Sequence, residues 1–114
     1  MTKIGEGNEP IKPLTTDAYK KELDLSSQKF LHALDQYQAG QAKTPEEQRH
    51  LRDLMDQQMG IIQSAIKELN KKGFHKEATK IAKDYTEFRQ EETKENYTCL
   101  RNDVETLREH NKAS

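Results

Sequence analysis

The chain has 114 residues, of which 34% are charged and 32% hydrophobic, and its formal net charge is −1. This length allows one small domain, and the interleaving of acidic and basic residues leaves no domain-scale basic field for nucleic acid. There is no apolar run near the roughly 18 residues of a membrane span, no signal peptide, and a single cysteine, so we expect a cytoplasmic protein, with non-classical export left open.

Residues 1–14 are predicted to form a flexible tail, because they hold two glycines, two prolines and only scattered aliphatic side chains. Residues 15–114 are predicted to form a single all-α domain. Helix breakers divide this part of the chain at Gly40 with Pro45 and again at Gly73. The division predicts three long helical segments.

The first helix is predicted to begin at a Thr15 cap and to run to about Ala39, where Gly40 ends it. Its core-facing positions alternate spacings of four and three residues, as a bundle helix requires. They are Leu23, Ser27, Phe30, Leu34 and Tyr37.

The second helix is predicted to open with a capping box at Thr44, Pro45 and Glu47. Gly60 within it indicates either a close helix crossing or a simply tolerated glycine. Gly73 with Phe74 predicts a left-handed helix end and a short connection, which makes the second and third helices antiparallel. The core-facing positions are Leu51, Met55, Gln58, Ile62, Ala65 and Leu69.

The third segment carries two apolar stripes separated by a wholly polar run over residues 89–96. At 100° per residue, the second stripe points about 100° away from the first. The run lacks glycine and proline, which favours one continuous helix: an up-down-up three-helix bundle with a long, protruding C-terminal helix. The alternative is a four-helix bundle with a break near residues 90–96. The stripes are Phe74, Ala78, Ile81, Tyr85 and Phe88, then Tyr97, Leu100, Val104 and Leu107.

In the three-helix arrangement, residues after about Arg101 have no partner within the monomer, and an uncovered apolar stripe indicates an interface. We therefore expect a non-catalytic protein-protein interaction module: an adaptor, small chaperone or assembly subunit. Its partner would be another protein or a second copy of the chain. The predicted partner-binding residues are Tyr97, Leu100, Val104 and Leu107.

A second hypothesis comes from a local excess of lysine between residues 67 and 83. The cluster predicts a patch for an acidic partner or, alternatively, for nucleic acid or another anionic surface, which the near-neutral net charge disfavours. The ordinary interpretation is a solvated surface. The lysines are Lys67, Lys71, Lys72, Lys76, Lys80 and Lys83.

No catalytic, metal or cofactor site is predicted. Glu47 and His50 have the Glu-x-x-His spacing of di-metal bundles, but no other histidine has a glutamate three residues earlier. Cys99 lacks a nucleophile signature and is expected to be a small residue in a helix seam. The four tyrosines are likewise expected to lie in or beside the seams.

Overall fold

The structure is a computed structural model that describes residues 16–71 and 73–113. These residues form four helices and no strand, which confirms the all-helical prediction. The helices are α1 (Thr16–Gln38), α2 (Pro45–Leu69), α3 (Phe74–Gln90) and α4 (Lys94–Ala113). The predicted tail and the Thr15 cap lie outside the described residues.

The four helices pack as a ring in chain order, because α4 returns to α1 and so closes the bundle. Neighbouring helices are antiparallel. Gln63 on α2 donates to the carbonyl of Ala78 on α3 at 3.0 Å. At the start of α1 and the end of α4, Asn111 Nδ2 donates to the carbonyl of Lys20 at 2.9 Å. The bundle is therefore up-down-up-down.

The core is built from the predicted stripes. Every predicted position of α3 is buried, as are Leu23, Ser27, Phe30 and Leu34 of α1. Aromatic side chains reach across the centre, with the rings of Phe30 and Tyr85 edge to face at 5.4 Å between centroids. Edge-to-face pairs of this kind add to the free energy of area burial. The helical periodicity thus located the core of α1 and α3.

The connection between α1 and α2 follows its sequence signals. Gly40 has φ 71°, and the amides of Gly40 and Gln41 donate to the carbonyls of Tyr37 and Gln36, which is a Schellman motif. Thr44 then caps α2: Glu47 N donates to Thr44 Oγ1, and Thr44 N donates to Glu47 Oε1, both at 3.1 Å. The predicted capping box is confirmed.

Two details around α2 differ from the expectations. Its left-handed end is Asn70, with φ 49°, whereas Gly73, with φ 92°, directly precedes α3. An asparagine reaches this conformation at low cost because its short amide hydrogen-bonds locally. A Cβ at Gly60 would meet no atom of the described residues within 4 Å, so the suspected close crossing is absent there and the glycine is simply tolerated.

The expected continuous third helix is wrong, because α3 ends at Gln90 and α4 begins at Lys94. Thr93 takes the place of a helix-breaking glycine or proline in this turn. Its Oγ1 accepts from Asn96 N at 3.1 Å, which caps α4. Asn96 Nδ2 donates back to the carbonyl of Glu91 at 2.8 Å. The polar run is thus a turn with its own hydrogen bonds, and the described part of the chain has four helices instead of three.

Candidate functional site

The stripe expected to bind a partner lies inside the bundle. Leu100, Val104 and Leu107 have no exposed surface. Tyr97 is half-buried against the core, and its hydroxyl donates to Asp35 Oδ1 at 2.8 Å. The interface prediction depended on a missing intramolecular partner, and that premise is wrong because the turn at 91–93 brings α4 back onto α1 and α3.

The lysine cluster is divided between two helices. Lys67 and Lys71 lie at the end of α2, and Lys72 lies outside the described residues. A shallow depression on α3 is lined by Lys76, Lys80 and Lys83 with His75 and Thr79. The Lys80 ammonium already pairs with Asp103 at 3.2 Å. The α3 face therefore offers Lys76 and Lys83 as its two cations without an ion pair among the described residues.

Glu47 and His50 do not form an acid-base pair. The Glu47 carboxylate accepts from the backbone amides of Lys43 and Thr44, at 2.8 and 3.1 Å, and these bonds lower its pKa. Within residues 16–71 and 73–113, no group of three or more His, Cys, Asp or Glu side chains is placed to hold a metal ion. Glu47 acts at the start of α2 as a capping residue.

Cys99 was expected in a seam but lies on the exposed side of α4. Three of the tyrosines lie in or beside the helix seams, as predicted. Tyr85 is buried, and Tyr37 and Tyr97 pack against the core while their hydroxyls reach carboxylates at the surface. Side chains of this kind hold helices together and leave little for recognition.

Asp35 on α1 organises the contact with α4. It accepts from Tyr97 and from Arg101, whose Nε and Nη2 approach the two carboxylate oxygens at 3.0 Å. Burial tends to raise the pKa of Asp35, but the hydrogen bonds from Arg101 and Tyr97 outweigh it, so the pKa lies below its ordinary value. This cluster fixes the register of α4 on α1.

A second carboxylate, with 11% of its side chain exposed, lies between α3 and α4. Asp103 Oδ1 is 3.2 Å from the Lys80 ammonium, while its other oxygen is buried without a hydrogen-bond partner among the described residues. Burial, followed by the neighbouring Asp84 carboxyl, raises the pKa of Asp103 to about 6. One turn from Lys80 on the same seam, Glu77 contacts His110. The α3–α4 seam is therefore rich in charges that respond to pH.

An open groove on the other side of the bundle is lined by residues of α1 and α2 alone and has a volume of about 530 Å³. Leu25 lies in it with 54% of its surface exposed, the only large apolar side chain in residues 16–71 and 73–113 that is mainly exposed. We call this the α1–α2 groove. Its lining residues are Ala18, Lys21, Glu22, Leu25, Ser26, Lys29, Gln57, Gln58 and Ile61.

A single exposed leucine is common on protein surfaces and needs no explanation by itself. Here a second feature accompanies it, because Gln58 in the wall of the groove is only 5% exposed and its Oε1 has no hydrogen-bond partner among residues 16–71 and 73–113. A buried amide oxygen without a donor costs about 1–3 kcal/mol. The wall of the groove therefore combines an exposed aliphatic side chain with a buried amide whose hydrogen bonding is incomplete.

Apolar spacing along a single helix predicts core positions, but it does not predict this groove. Leu25 lies outside the spacing of Leu23, Ser27 and Phe30, so the sequence offers it only as a leucine off the stripe. Ile61 lies beside the predicted α2 stripe, one residue before Ile62. Their juxtaposition depends on how α1 and α2 pack.

Comparison of the chain with protein-family models, with curated proteins and with solved structures found no match in any of the three. None of the four described helices is long and apolar enough to cross a membrane. The arguments for a function therefore come from the residues themselves.

Proposed function

We propose that the protein is a non-catalytic interaction module that binds a helical segment of another protein in the α1–α2 groove. The observation that carries this proposal is the exposed Leu25 beside Ile61 and the unsatisfied Gln58. Helix-in-groove recognition uses this combination, in which a few apolar anchors supply binding energy and polar groups set the register.

The size of the groove supports a helix as its occupant. From Ala18 to Lys29 the α1 wall spans about 16 Å at 1.5 Å per residue, or about three helical turns. The groove is open along its length and is shallow enough to leave the partner's other face in water. An adaptor or assembly subunit of this kind holds a partner segment without chemistry.

The experiment places a photo-crosslinking amino acid at position 25 and, as a control, at the exposed position Thr86 on α3. Proteins crosslinked in cells only from position 25 are identified, purified and rebound to the full chain. We expect Leu25→Glu to weaken the reconstituted complex at least tenfold and Thr86→Glu to leave it unchanged, with both variants as stable as the original chain.

Equal binding by the Leu25→Glu variant would overturn the proposal, as would crosslinks that are the same from both positions. A crosslink from position 25 to a second copy of the chain would replace the foreign partner with self-association. Salt-sensitive retention of DNA or RNA that depends on Lys76 and Lys83 would favour the anionic-surface hypothesis instead.

A further inference from the structure

The charges around Leu25 have a regular order along α1. Lys21 precedes Leu25 by four residues and Lys29 follows it by four, so the three side chains follow one another at about one-turn intervals on the same helix face. Both lysines are exposed and line the groove. Neither forms an ion pair within the part of the chain that the structure describes.

The groove holds one acid, Glu22, against these two lysines, so its local charge is positive although the chain as a whole is not. An apolar anchor flanked by two unpaired cations is complementary to an apolar side chain flanked by two anions.

We infer that the occupant of the α1–α2 groove is an acidic amphipathic helix, with a large aliphatic side chain between two carboxylates one turn away on each side. The inference depends on the proposed function, because it names the kind of partner for the same groove. The aliphatic side chain packs on Leu25 and Ile61, and the carboxylates lie beside Lys21 and Lys29.

The charge pattern supplies selectivity more than affinity. Exposed ion pairs each contribute little to affinity, so apolar contact must provide most of the binding. Replacing two favourable contacts by two repulsive ones should change the affinity about tenfold, since each factor of ten corresponds to about 1.4 kcal/mol. Salt should remove this difference because both lysines are exposed.

The test uses designed helical peptides of about 16 residues, long enough to span the three turns of the groove. The first carries Glu, Leu and Glu at four-residue intervals on one face. The second replaces both glutamates with lysine, and the third replaces the leucine with serine. Each is titrated into the full chain labelled with ¹⁵N, and the amide signals of residues 18–29 and 57–61 report where it binds.

We expect the Glu-Leu-Glu peptide to shift the groove signals and to bind about tenfold more tightly than the Lys-Leu-Lys peptide at low salt. In a Lys21→Glu/Lys29→Glu variant the preference should reverse. A Lys76→Glu/Lys83→Glu variant is the matched control, because it makes the same change of charge on the exposed face of α3, and the preference should stay as in the original chain. The serine peptide should bind at least tenfold more weakly.

Equal affinity for the acidic and basic peptides would overturn the inference, and so would the failure of every peptide to bind. The proposed function would survive both results if crosslinking from position 25 still identified a partner. A preference for acid that disappears in the Lys76→Glu/Lys83→Glu variant and persists in the groove variant would move the acidic partner to the face of α3.

Discussion

The two hairpins of the bundle are held together by different means. Helices α1 and α2 are the longest, approach each other along most of their length, and meet through apolar side chains. Helices α3 and α4 are shorter, and their seam carries Lys80 with Asp103, Asp84, and Glu77 with His110. A chain with few large apolar residues can therefore close a bundle when buried stripes on all four helices supply the packing and the second hairpin adds charged contacts.

The largest expected effect tests whether α4 belongs to the core. Leu107→Ala removes a side chain with no exposed surface, and we expect a loss of about 2–5 kcal/mol in the free energy of unfolding. Leu25→Ala on the outside of α1 should change it by less than about 0.5 kcal/mol. Urea denaturation followed by circular dichroism measures both. A mild Leu107→Ala variant would mean that α4 does not close the bundle.

The second helix of each hairpin, α2 or α4, begins at a threonine cap, and the two caps can be tested against each other. Thr44→Ala and Thr93→Ala each remove an oxygen that accepts from a backbone amide at 3.1 Å, so each should lower the free energy of unfolding by about 1 kcal/mol. Thr98→Ala, on an exposed helical position of α4, is the control and should be neutral. An unchanged denaturation midpoint for Thr93→Ala would show that the turn at 91–93 does not depend on its cap.

The charged seam should make the second hairpin sensitive to pH in a way that the first is not. Because the pKa of Asp103 is raised from 3.8 to about 6, its protonation stabilises the native state fully below about 3.8, and this contribution is lost as the pH rises through 6. Relative to Asp103→Asn, the original chain should therefore gain stability on acidification, by on the order of 1 kcal/mol after solvent screening.

Thermal unfolding of both proteins between about pH 4 and pH 7 measures that difference, and the comparison cancels the other titrating groups. Lys80 and Asp84 of α3 act directly on Asp103, and Glu77, which contacts His110 of α4, lines the same depression as Lys80 and Asp103. A constant difference between the two proteins across this range would show that Asp103 keeps an ordinary pKa.

The smallest expected effects are at two glycines of the first hairpin. They distinguish the space available for a side chain from the backbone conformation that the position requires. Within the described part of the chain, a Cβ at Gly60 or at Gly40 would meet no atom within 4 Å, but Gly40 has φ 71° and Gly60 lies within α2. Gly60→Ala should therefore stabilise the protein by about 0.5–1 kcal/mol, and Gly40→Ala should destabilise it by a similar amount. Chemical denaturation of the pair measures this, and a shift in the same direction for both would contradict it.

The sequence predicted the first hairpin well because its signals are local. Gly40, Thr44 and Glu47 specify a turn within a few residues, and the spacing of Leu23, Phe30 and the α2 stripe specifies a common face. The turn between α3 and α4 has equally local signals, Thr93 and Asn96, but they lie inside a run of good helix formers without glycine or proline. Only the tertiary packing of α4 decides between a cap and a continuous helix.

The candidate groove was beyond sequence reasoning for a different reason. A core position is marked by periodicity along its own helix, whereas Leu25, Gln58 and Ile61 come together through the crossing of two helices. The two stripes of the third segment are rotated relative to each other in the sequence pattern. The cause of this rotation is a reversal of the chain between α3 and α4. The rotated stripe thus indicates from sequence that the third segment is not one straight helix, but it does not give the position of the turn.

The hydrogen bond from Asn111 to the Lys20 carbonyl places the end of α4 beside the start of α1. Because short turns join α1 to α2, α2 to α3 and α3 to α4, and α4 packs beside α1, the order in which the helices are synthesised is not dictated by their packing. A circularly permuted chain, with residues 113 and 16 joined by a short linker and new ends opened at the turn 91–93, would keep every helix contact. It would begin with α4, and its last helix would be α3.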